Sequence, residues 1–337
     1  MKAVGLYKYL PIDHPESLLD LDMPKPQASG RDLLVRVEAI SVNPVDTKVR
    51  APGSPDLTTP RILGWDAAGV VEAVGSDVTL FKPGDAVYYA GDITRPGSNS
   101  EYQLVDERIV GSKPRSLDMI QSAAIPLVAI TAYEALFDRL GIECESARRG
   151  RTILIIAGAG GVGSIAVQLA RIAGLTVLAT ASRPDSIAWV KQLGADHVLD
   201  HRQPLRPQVE AAGYRLVDYV FNCANTDSYW SMMADLIVPQ GKICTIVENK
   251  GPLDQQLLKL KSVTHAWELM FTRSKYQTDD MIEQHRLLNR VADWIDGGKL
   301  ASIHRETMRP INAANLKKAH ARLESGTMIG KLVLAGW

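Results

Sequence analysis

The sequence predicts two domains, a β-rich barrel or sandwich followed by a doubly wound α/β sheet of parallel strands. Three observations carry that prediction. A chain of 337 residues is longer than one hydrophobic core usually supports, since cores stop growing near about 250–300 residues. The first third alternates short β-branched or aromatic stretches with Pro, Gly and Asp turns. Beyond roughly residue 120, apolar runs alternate with helical stretches, the pattern of parallel strands joined by crossover helices.

In the first third, strands are expected at Leu33 to Ile40, Gly69 to Val74 and Ala86 to Tyr89. Gly75-Ser76-Asp77 and Lys82-Pro83-Gly84-Asp85 suit tight turns leading into strands of a small barrel. The next clear strand, Thr152 to Ala157, is apolar on both faces, as a central parallel strand is when helices cover it. Val162, Ile165, Ala166, Leu169 and Ala173 then recur at helical spacing, and Gly174 supplies a stop. Thr176 to Ala181 is the second strand, followed by a helix from about Pro184 to Leu193 that ends at Gly194. Further short strands are expected at His197 to Leu199, Val217 to Phe221 and Ile243 to Val247. Thr278-Asp279-Asp280 reads as a capped helix start, with Ile282, Leu288, Val291, Ala292 and Ile295 on one side and Gly297-Gly298 at the end. A last strand, Ile329 to Leu334, is barrel-like again.

Composition narrows the function. With 46% apolar and 23% charged residues the chain has core-forming material and lacks the signature of disorder. Lys and Arg number 38 and Asp and Glu 38, scattered rather than clustered, which gives no electrostatic reason to expect nucleic acid or an anionic membrane as partner. The first ten residues carry no long apolar stretch after their positive charge, and no run of about 18 apolar residues follows, so the chain is read as cytoplasmic. Cys144, Cys223 and Cys244 are too far apart for a metal-ligand motif and are read as buried thiols in a reducing cytosol.

Gly158-Ala159-Gly160-Gly161-Val162-Gly163 falls between the first parallel strand and its helix, the context in which Gly-x-Gly-x-x-Gly signals a dinucleotide site. Gly158 is read as the residue of the sharp turn, Gly160 as the one that lets backbone approach a pyrophosphate, and Gly163 as the one that lets the helix pack on the strand. The helix N-terminus, beginning at Gly161 and Val162, then faces the anion. The alternative is a glycine turn that merely links strand to helix.

An NAD-binding unit normally ends its second strand with Asp or Glu, which accepts hydrogen bonds from the ribose hydroxyls. Here that place reads Ala181-Ser182-Arg183. A carboxylate would repel a 2′-phosphate, whereas a hydroxyl and a guanidinium can bind one. NADP(H) is therefore the expected cofactor, with His201 and Lys191 as further candidates for the phosphate. A solvated surface charge is the alternative for Arg183.

Together with Asn43-Pro44-Val45-Asp46, Gly64-Trp65-Asp66-Ala67-Ala68-Gly69, Val74-Gly75, Lys82-Pro83-Gly84-Asp85, Pro126-Leu127, Thr131-Ala132-Tyr133-Glu134-Ala135-Leu136 and Gly330-Lys331-Leu332-Val333-Leu334, this loop resembles those of the medium-chain dehydrogenase/reductases. Within them it is most similar to the zinc-free quinone oxidoreductases, often named zinc-type alcohol dehydrogenase-like. The resemblance runs nearly end to end. It implies a GroES-like domain over residues 1–124, a Rossmann domain over 125–305, a C-terminal return over 306–337, and a cleft between the two domains. It also implies a homodimer, with strands near Ile243 to Val247 and Thr264 to Met270 extending the sheet across a two-fold axis.

The departures bear on chemistry. Zinc-containing relatives carry a Cys near Asn43 and Gly-His-Glu where this chain has Gly64-Trp65-Asp66, so an imidazole ligand is missing, and no four closely spaced cysteines occur. No metal is expected; an atypical zinc alcohol dehydrogenase using Asp66, some His and water is the alternative. Simple ketone or alcohol chemistry passes through a localised alkoxide-like charge that a Lewis acid holds. Quinones and conjugated enones leave a delocalised phenolate or enolate, which a few hydrogen-bond donors can hold. The resemblance thus implies NADPH-dependent reduction of a quinone or α,β-unsaturated carbonyl, a small-molecule substrate. An NADPH-binding, crystallin-like scaffold with little turnover is a further alternative.

By the same resemblance Asn43 and Thr131 lie near nicotinamide and substrate, Asn43 donating to the substrate oxygen and Thr131 holding the carboxamide end or a neighbouring group. Asn43 as a simple turn residue before Pro44 is the alternative. Trp65, Tyr88 and Tyr89 are candidates to line the cleft, or else pack in the core. Val247 and Phe271, each just after an expected strand, resemble residues of the loops that meet the nicotinamide side. Arg273 and Lys331 are cations at pyrophosphate positions, or else form surface ion pairs. Asp46 reads as a turn acid. No proton donor stands out: where some enoyl reductases carry a Tyr a few residues after the Asn43 position, this chain has Lys48 and Val49.

Overall fold

The apolar runs of the middle third become a six-stranded parallel sheet. In the computed structural model, which describes residues 1–144 and 150–337, its strands lie in the order His197–Leu199, Thr176–Thr180, Thr152–Ile156, Val217–Asn222, Ile237–Thr245, Thr264–Trp267. Every neighbouring pair is parallel. Thr152–Ile156 is buried along its whole length, which explains why its sequence is apolar on both faces. The chain winds away from this strand in both directions, so the order reverses beside it. Ligands of such sheets bind at the carboxyl ends of the strands at that reversal.

Helices cover both faces because their stripes match the sheet. Gly161–Ile172 buries Ile165, Ala166, Leu169 and Ala170, and Pro184–Leu193 starts on a proline and ends on Gly194 at φ 103°, where a residue without Cβ closes a helix at least cost. The helix Pro126–Tyr133 runs on into a π-helical turn, Glu134–Arg139.

Residues Val128–Met270 form this unit; Met1–Leu127 and Phe271–Trp337 form the other. The second unit is built on a seven-stranded sheet in which Asp32–Ser41 pairs with Ala67–Val74, Tyr102–Asp106 and the C-terminal strand Lys331–Ala335. The register is antiparallel, Val333 opposite Ser41. It therefore brings Lys331 to the end of Asp32–Ser41, where Val42 and Asn43 begin the helix Pro44–Arg50.

Two local expectations shift. The helix expected from Thr278 begins instead at Glu283, because the Asp280 carboxylate is tied to the Arg273 guanidinium and the Thr278 hydroxyl. The segment after Phe271 is the short helix Thr272–Tyr276 rather than a loop. No helix among the described residues is long and apolar enough to cross a membrane.

Candidate functional site

Each unit concentrates its chemistry-bearing residues in one place. In the parallel-sheet unit it is the glycine loop. Here the left-handed residue is Ala157, at φ 63°, and not Gly158 as the motif suggests. Gly158 is required for a different reason: a Cβ there would meet the Ala179 Cβ at 2.9 Å on the neighbouring strand. Gly163 must also lack a side chain, since its Cβ would fall 2.3 Å from the Ala157 carbonyl oxygen. Gly160 is different again. A Cβ there would touch only that carbonyl, at 3.6 Å, an ordinary contact, so the protein itself leaves the space beside it open. Gly160 is the N-cap of Gly161–Ile172, whose first turn, with Gly161 and Val162, carries no acidic side chain. The N–H groups of such a turn lack helical partners and attract an anion.

Thr180, which the sequence pattern does not mark, anchors the loop. Its hydroxyl accepts the Ala157 N–H at 2.8 Å, and its carbonyl accepts the Gly158 N–H at 3.1 Å. The chain continues past it to Ser182, whose hydroxyl lies 3.4 Å from His201 Nε2 at the end of the adjacent strand. Arg183 is exposed at the N-cap of Pro184–Leu193. Lys191 stands eight residues along that helix, roughly 12 Å away at 1.5 Å per residue, and so is separated from this group. Asp200, next to His201 in the chain, is held by Arg202 at 2.7 Å.

In the barrel unit, side chains from three separate stretches of the sequence meet in the interior: Asn43 and Asp46, Asp66, and Lys331. Lys331 donates to the Val42 carbonyl at 2.8 Å, to Asn43 Oδ1 at 2.6 Å and to Asp66 Oδ2 at 3.0 Å. Those three bonds use all the hydrogens of an ammonium, which corrects the expectation that Lys331 faces a pyrophosphate. Asn43 Nδ2 donates to Asp66 Oδ2 at 2.8 Å, so both ends of its amide are engaged. The remaining Nδ2 contacts, with the Ser41 and Trp65 carbonyls, are long at 3.5 Å. Asp66 Oδ1 accepts the Leu127 N–H at 2.8 Å. Burial raises its affinity for a proton, and Lys331 and Asn43 oppose that rise. Asp46, the third residue of Pro44–Arg50, accepts the Asn43 backbone N–H on Oδ2 at 2.7 Å. Burial is the largest influence on Asp46 and pushes its pKa up to about 7.

The aromatic candidates turn inward. Trp65, Tyr88 and Tyr89 are all fully buried in the barrel unit. The Tyr88 hydroxyl donates to the Leu288 carbonyl at 2.6 Å, and Trp65 meets Phe271 edge to face, with ring centres 6.0 Å apart. Burial raises both tyrosine pKa values, which makes the phenols poor acids at neutral pH. Thr131 is buried on Pro126–Tyr133. Val247 is half-buried past the end of Ile237–Thr245, with its carbonyl accepting from the Thr226 hydroxyl. A second buried charged group is unsuspected from sequence: Glu268 is ion-paired with Arg139, which follows Thr131 in the chain, at 2.8 Å. Its burial, and the Glu134 carboxyl beside it, push its pKa well up, and Arg139 opposes the rise.

A six-stranded nucleotide-type sheet with a glycine loop, in one chain with a barrel that the C terminus rejoins, defines a medium-chain dehydrogenase/reductase. The comparisons with known proteins agree. Residues 29–115 match the alcohol dehydrogenase GroES-like domain and residues 193–334 the zinc-binding dehydrogenase model. A zinc-type alcohol dehydrogenase-like protein of Staphylococcus epidermidis is 44% identical over 99% of both chains. A chloroplastic quinone-oxidoreductase homologue of Spinacia oleracea is 29% identical over 95% of this chain and 94% of its own. A solved structure of a Rhizobium etli CFN 42 protein, provisionally assigned as a zinc-dependent alcohol dehydrogenase, shares 53% identity and superposes with a TM-score of 0.95, covering 100% of this chain and 98% of that one. The chain belongs to the zinc-type alcohol dehydrogenase-like family of medium-chain oxidoreductases.

Proposed function

We propose that this chain is an NADPH-dependent reductase that delivers hydride to a quinone or an α,β-unsaturated carbonyl and works without catalytic zinc. The observation that carries this reading is the end of the second parallel strand, where Ser182 and His201 approach each other beside Arg183 and no carboxylate takes the ribose position. A 2′-phosphate would be held there, with the pyrophosphate against Gly158, Gly160, Gly161, Val162 and Gly163. Thr131 and Val247 are the residues we assign to the nicotinamide side. The bound nicotinamide supplies the hydride; the protein's part is to orient and to supply charge.

Zinc suits these residues poorly. Trp65 offers no ligand atom, and the Lys331 ammonium sits 3.0 Å from Asp66, where it would repel a dication. Acceptors whose charge delocalises on reduction need no Lewis acid, and the spinach quinone-oxidoreductase homologue supports that acceptor class.

Loss of reduced-nicotinamide absorbance with NADPH and a small quinone, in the presence of a chelator, is the expected result. Replacing Ser182 and Arg183 together by Ala is expected to weaken NADPH about tenfold or more, the worth of one or two charge-assisted hydrogen bonds, and NADH less than about twofold. Equal losses for both cofactors would place the phosphate elsewhere, and a chelator-sensitive activity with stoichiometric zinc would restore the alcohol dehydrogenase reading.

We also propose a homodimer through the outer strand Thr264–Trp267, which has a sheet partner on one side only among the described residues. Beside it Trp267 and Leu269 are 45% and 53% exposed, an apolar edge that invites pairing. Sedimentation velocity is expected to give twice the chain mass, and a monomeric wild type at micromolar concentration would remove the assignment.

A further inference from the structure

We propose that Trp189 is a positioning residue for cofactor selectivity, one that bolts the helix led by Arg183 to the glycine loop; the assignment rests on the NADPH reading above. A nucleotide carrying both a 2′-phosphate and a pyrophosphate has to satisfy two protein groups at once. One is Ser182, Arg183 and His201, and the other is the loop from Gly158 to Gly163. Affinity for such a ligand depends on how firmly the two groups keep their spacing before it arrives. All of these residues lie within the parallel-sheet unit.

The covalent path between the groups is short but incomplete as a brace. Thr180 is fixed to the loop through the Ala157 and Gly158 N–H groups, and Ser182 follows two residues later. The strand, however, ends at Thr180. The aim of the helix Pro184–Leu193, and of Arg183 at its N-cap, is therefore set by what the helix itself packs against.

Two neighbouring residues on its second turn set that aim. Trp189 is 6% exposed and Val190 fully buried. Trp189 Nε1 donates to Ser164 Oγ at 2.8 Å, and Ser164 Oγ in turn donates to the Ala159 carbonyl of the glycine loop at 3.3 Å. Accepting from one side and donating to the other uses the single hydrogen of the hydroxyl. Ser164 is joined to the loop a second time, since its backbone N–H donates to the Gly160 carbonyl at 2.8 Å. Val190 closes on Gly158, where a Cβ would lie 3.4 Å from Val190 Cγ1. A phenylalanine at position 189 would fill much of the same apolar space. Only an indole adds an N–H with a fixed direction. Ser164 is fully buried as well, so breaking the relay leaves a polar group unpaired away from water.

Calorimetric titration with three ligands is the test. Trp189→Phe is expected to weaken NADPH about fivefold, the worth of one buried hydrogen bond, because NADPH spans both groups. NADH, which lacks the 2′-phosphate, and adenosine 2′-monophosphate, which lacks the pyrophosphate, are each expected to stay within about twofold of wild type. A residue that only supports the fold would weaken all three alike. Ser164→Ala, which removes the middle of the relay and keeps the indole ring, is expected to give the same pattern and stands in if Trp189→Phe does not fold. Equal losses for all three ligands, or no loss of NADPH affinity, overturn the proposal; a wild type that still prefers NADPH to NADH then keeps the 2′-phosphate reading. A wild type that binds NADPH no more tightly than NADH removes that reading and the Trp189 assignment together.

Discussion

Gly163→Ala is expected to destabilise the parallel-sheet unit by about 2–4 kcal/mol, whereas Gly160→Ala is expected to change stability by no more than about 1 kcal/mol and to weaken NADPH instead. The two glycines sit three residues apart in one loop, and their surroundings decide the difference. At Gly163 the new methyl would fall 2.3 Å from the Ala157 oxygen and 2.7 Å from the Gly158 Cα. Both are backbone atoms and neither can swing aside. Ala157 already holds a left-handed conformation, at a cost of about 1–2 kcal/mol for a residue with a side chain, and its carbonyl accepts the Gly160 N–H. The helix must therefore lift off the strand. Alanine's advantage over glycine inside a helix, about 1 kcal/mol, offsets only part of that. At Gly160 the nearest atom is 3.6 Å away and φ is −70°, so the chain accepts alanine. What alanine would occupy is the open space we assign to the pyrophosphate, and a tenfold or larger rise in the NADPH dissociation constant, about 1.4 kcal/mol, is expected. Urea unfolding followed by tryptophan fluorescence, beside calorimetry with NADPH, separates the two effects. A Gly163→Ala protein as stable as wild type would show that the loop yields, and undiminished binding by Gly160→Ala would move the pyrophosphate off it.

The same loop shows how far the amino-acid pattern reaches. Strand, glycines and helix were legible because each is a local signal: an apolar run, three residues without side chains, a stripe at helical spacing. The reason for each glycine was less so. Gly158 is dictated by the Ala179 methyl on another strand, and the positive φ falls on Ala157, which no motif would select. Ser182 and His201 were legible as phosphate candidates from their position after strands, though their approach depends on the parallel pairing of Thr176–Thr180 with His197–Leu199.

The barrel cluster was not legible as a cluster. Lys331 and Asp66 are 265 residues apart, and only the register of the last strand against Asp32–Ser41 brings them together. A lysine at a strand start reads from sequence as solvated or ligand-facing, and burial reverses that. Asp46 similarly reads as a turn acid until its burial is seen. Glu134 and Glu268 each have the composition of an exposed helix or loop position, and nothing local tells that they pack together beside Arg139. Asp280, expected to cap a helix, is captured by Arg273 at a distance of seven residues.

Lys331→Met is expected to destabilise the barrel unit by about 3–5 kcal/mol, because it removes one partner of a buried ion pair and leaves the other. Asp66 would keep its bonds from Leu127 and Asn43 but lose the Lys331 ammonium that pairs with it. The Val42 carbonyl and Asn43 Oδ1 would lose a donor at the same time. Adding Asp66→Asn is expected to recover most of the loss. The new amide can still accept from Leu127, and a flip of the Asn43 amide lets its oxygen accept from the new amide nitrogen at position 66, reversing the bond that Asn43 now donates there. Replacing a buried pair by neutral groups of similar volume is often close to neutral. The single variant should also show a pH signature. Burial already raises the Asp66 pKa in the folded protein, and removing Lys331 takes away the largest force opposing that rise. Between the unfolded value, near about 4, and the raised folded value, the native state binds more protons than the unfolded state, so stability falls as pH rises. The Lys331→Met deficit is thus largest at neutral to alkaline pH and narrows toward about pH 5 as Asp66 takes up its proton. Urea unfolding of wild type, single and double variants at about pH 5 and about pH 8 reads both features. A single variant within about 1 kcal/mol of wild type at both pH values would mean that the ammonium and carboxylate do not hold each other in the interior. Their contact would then be incidental to the closure of the C-terminal strand on the barrel.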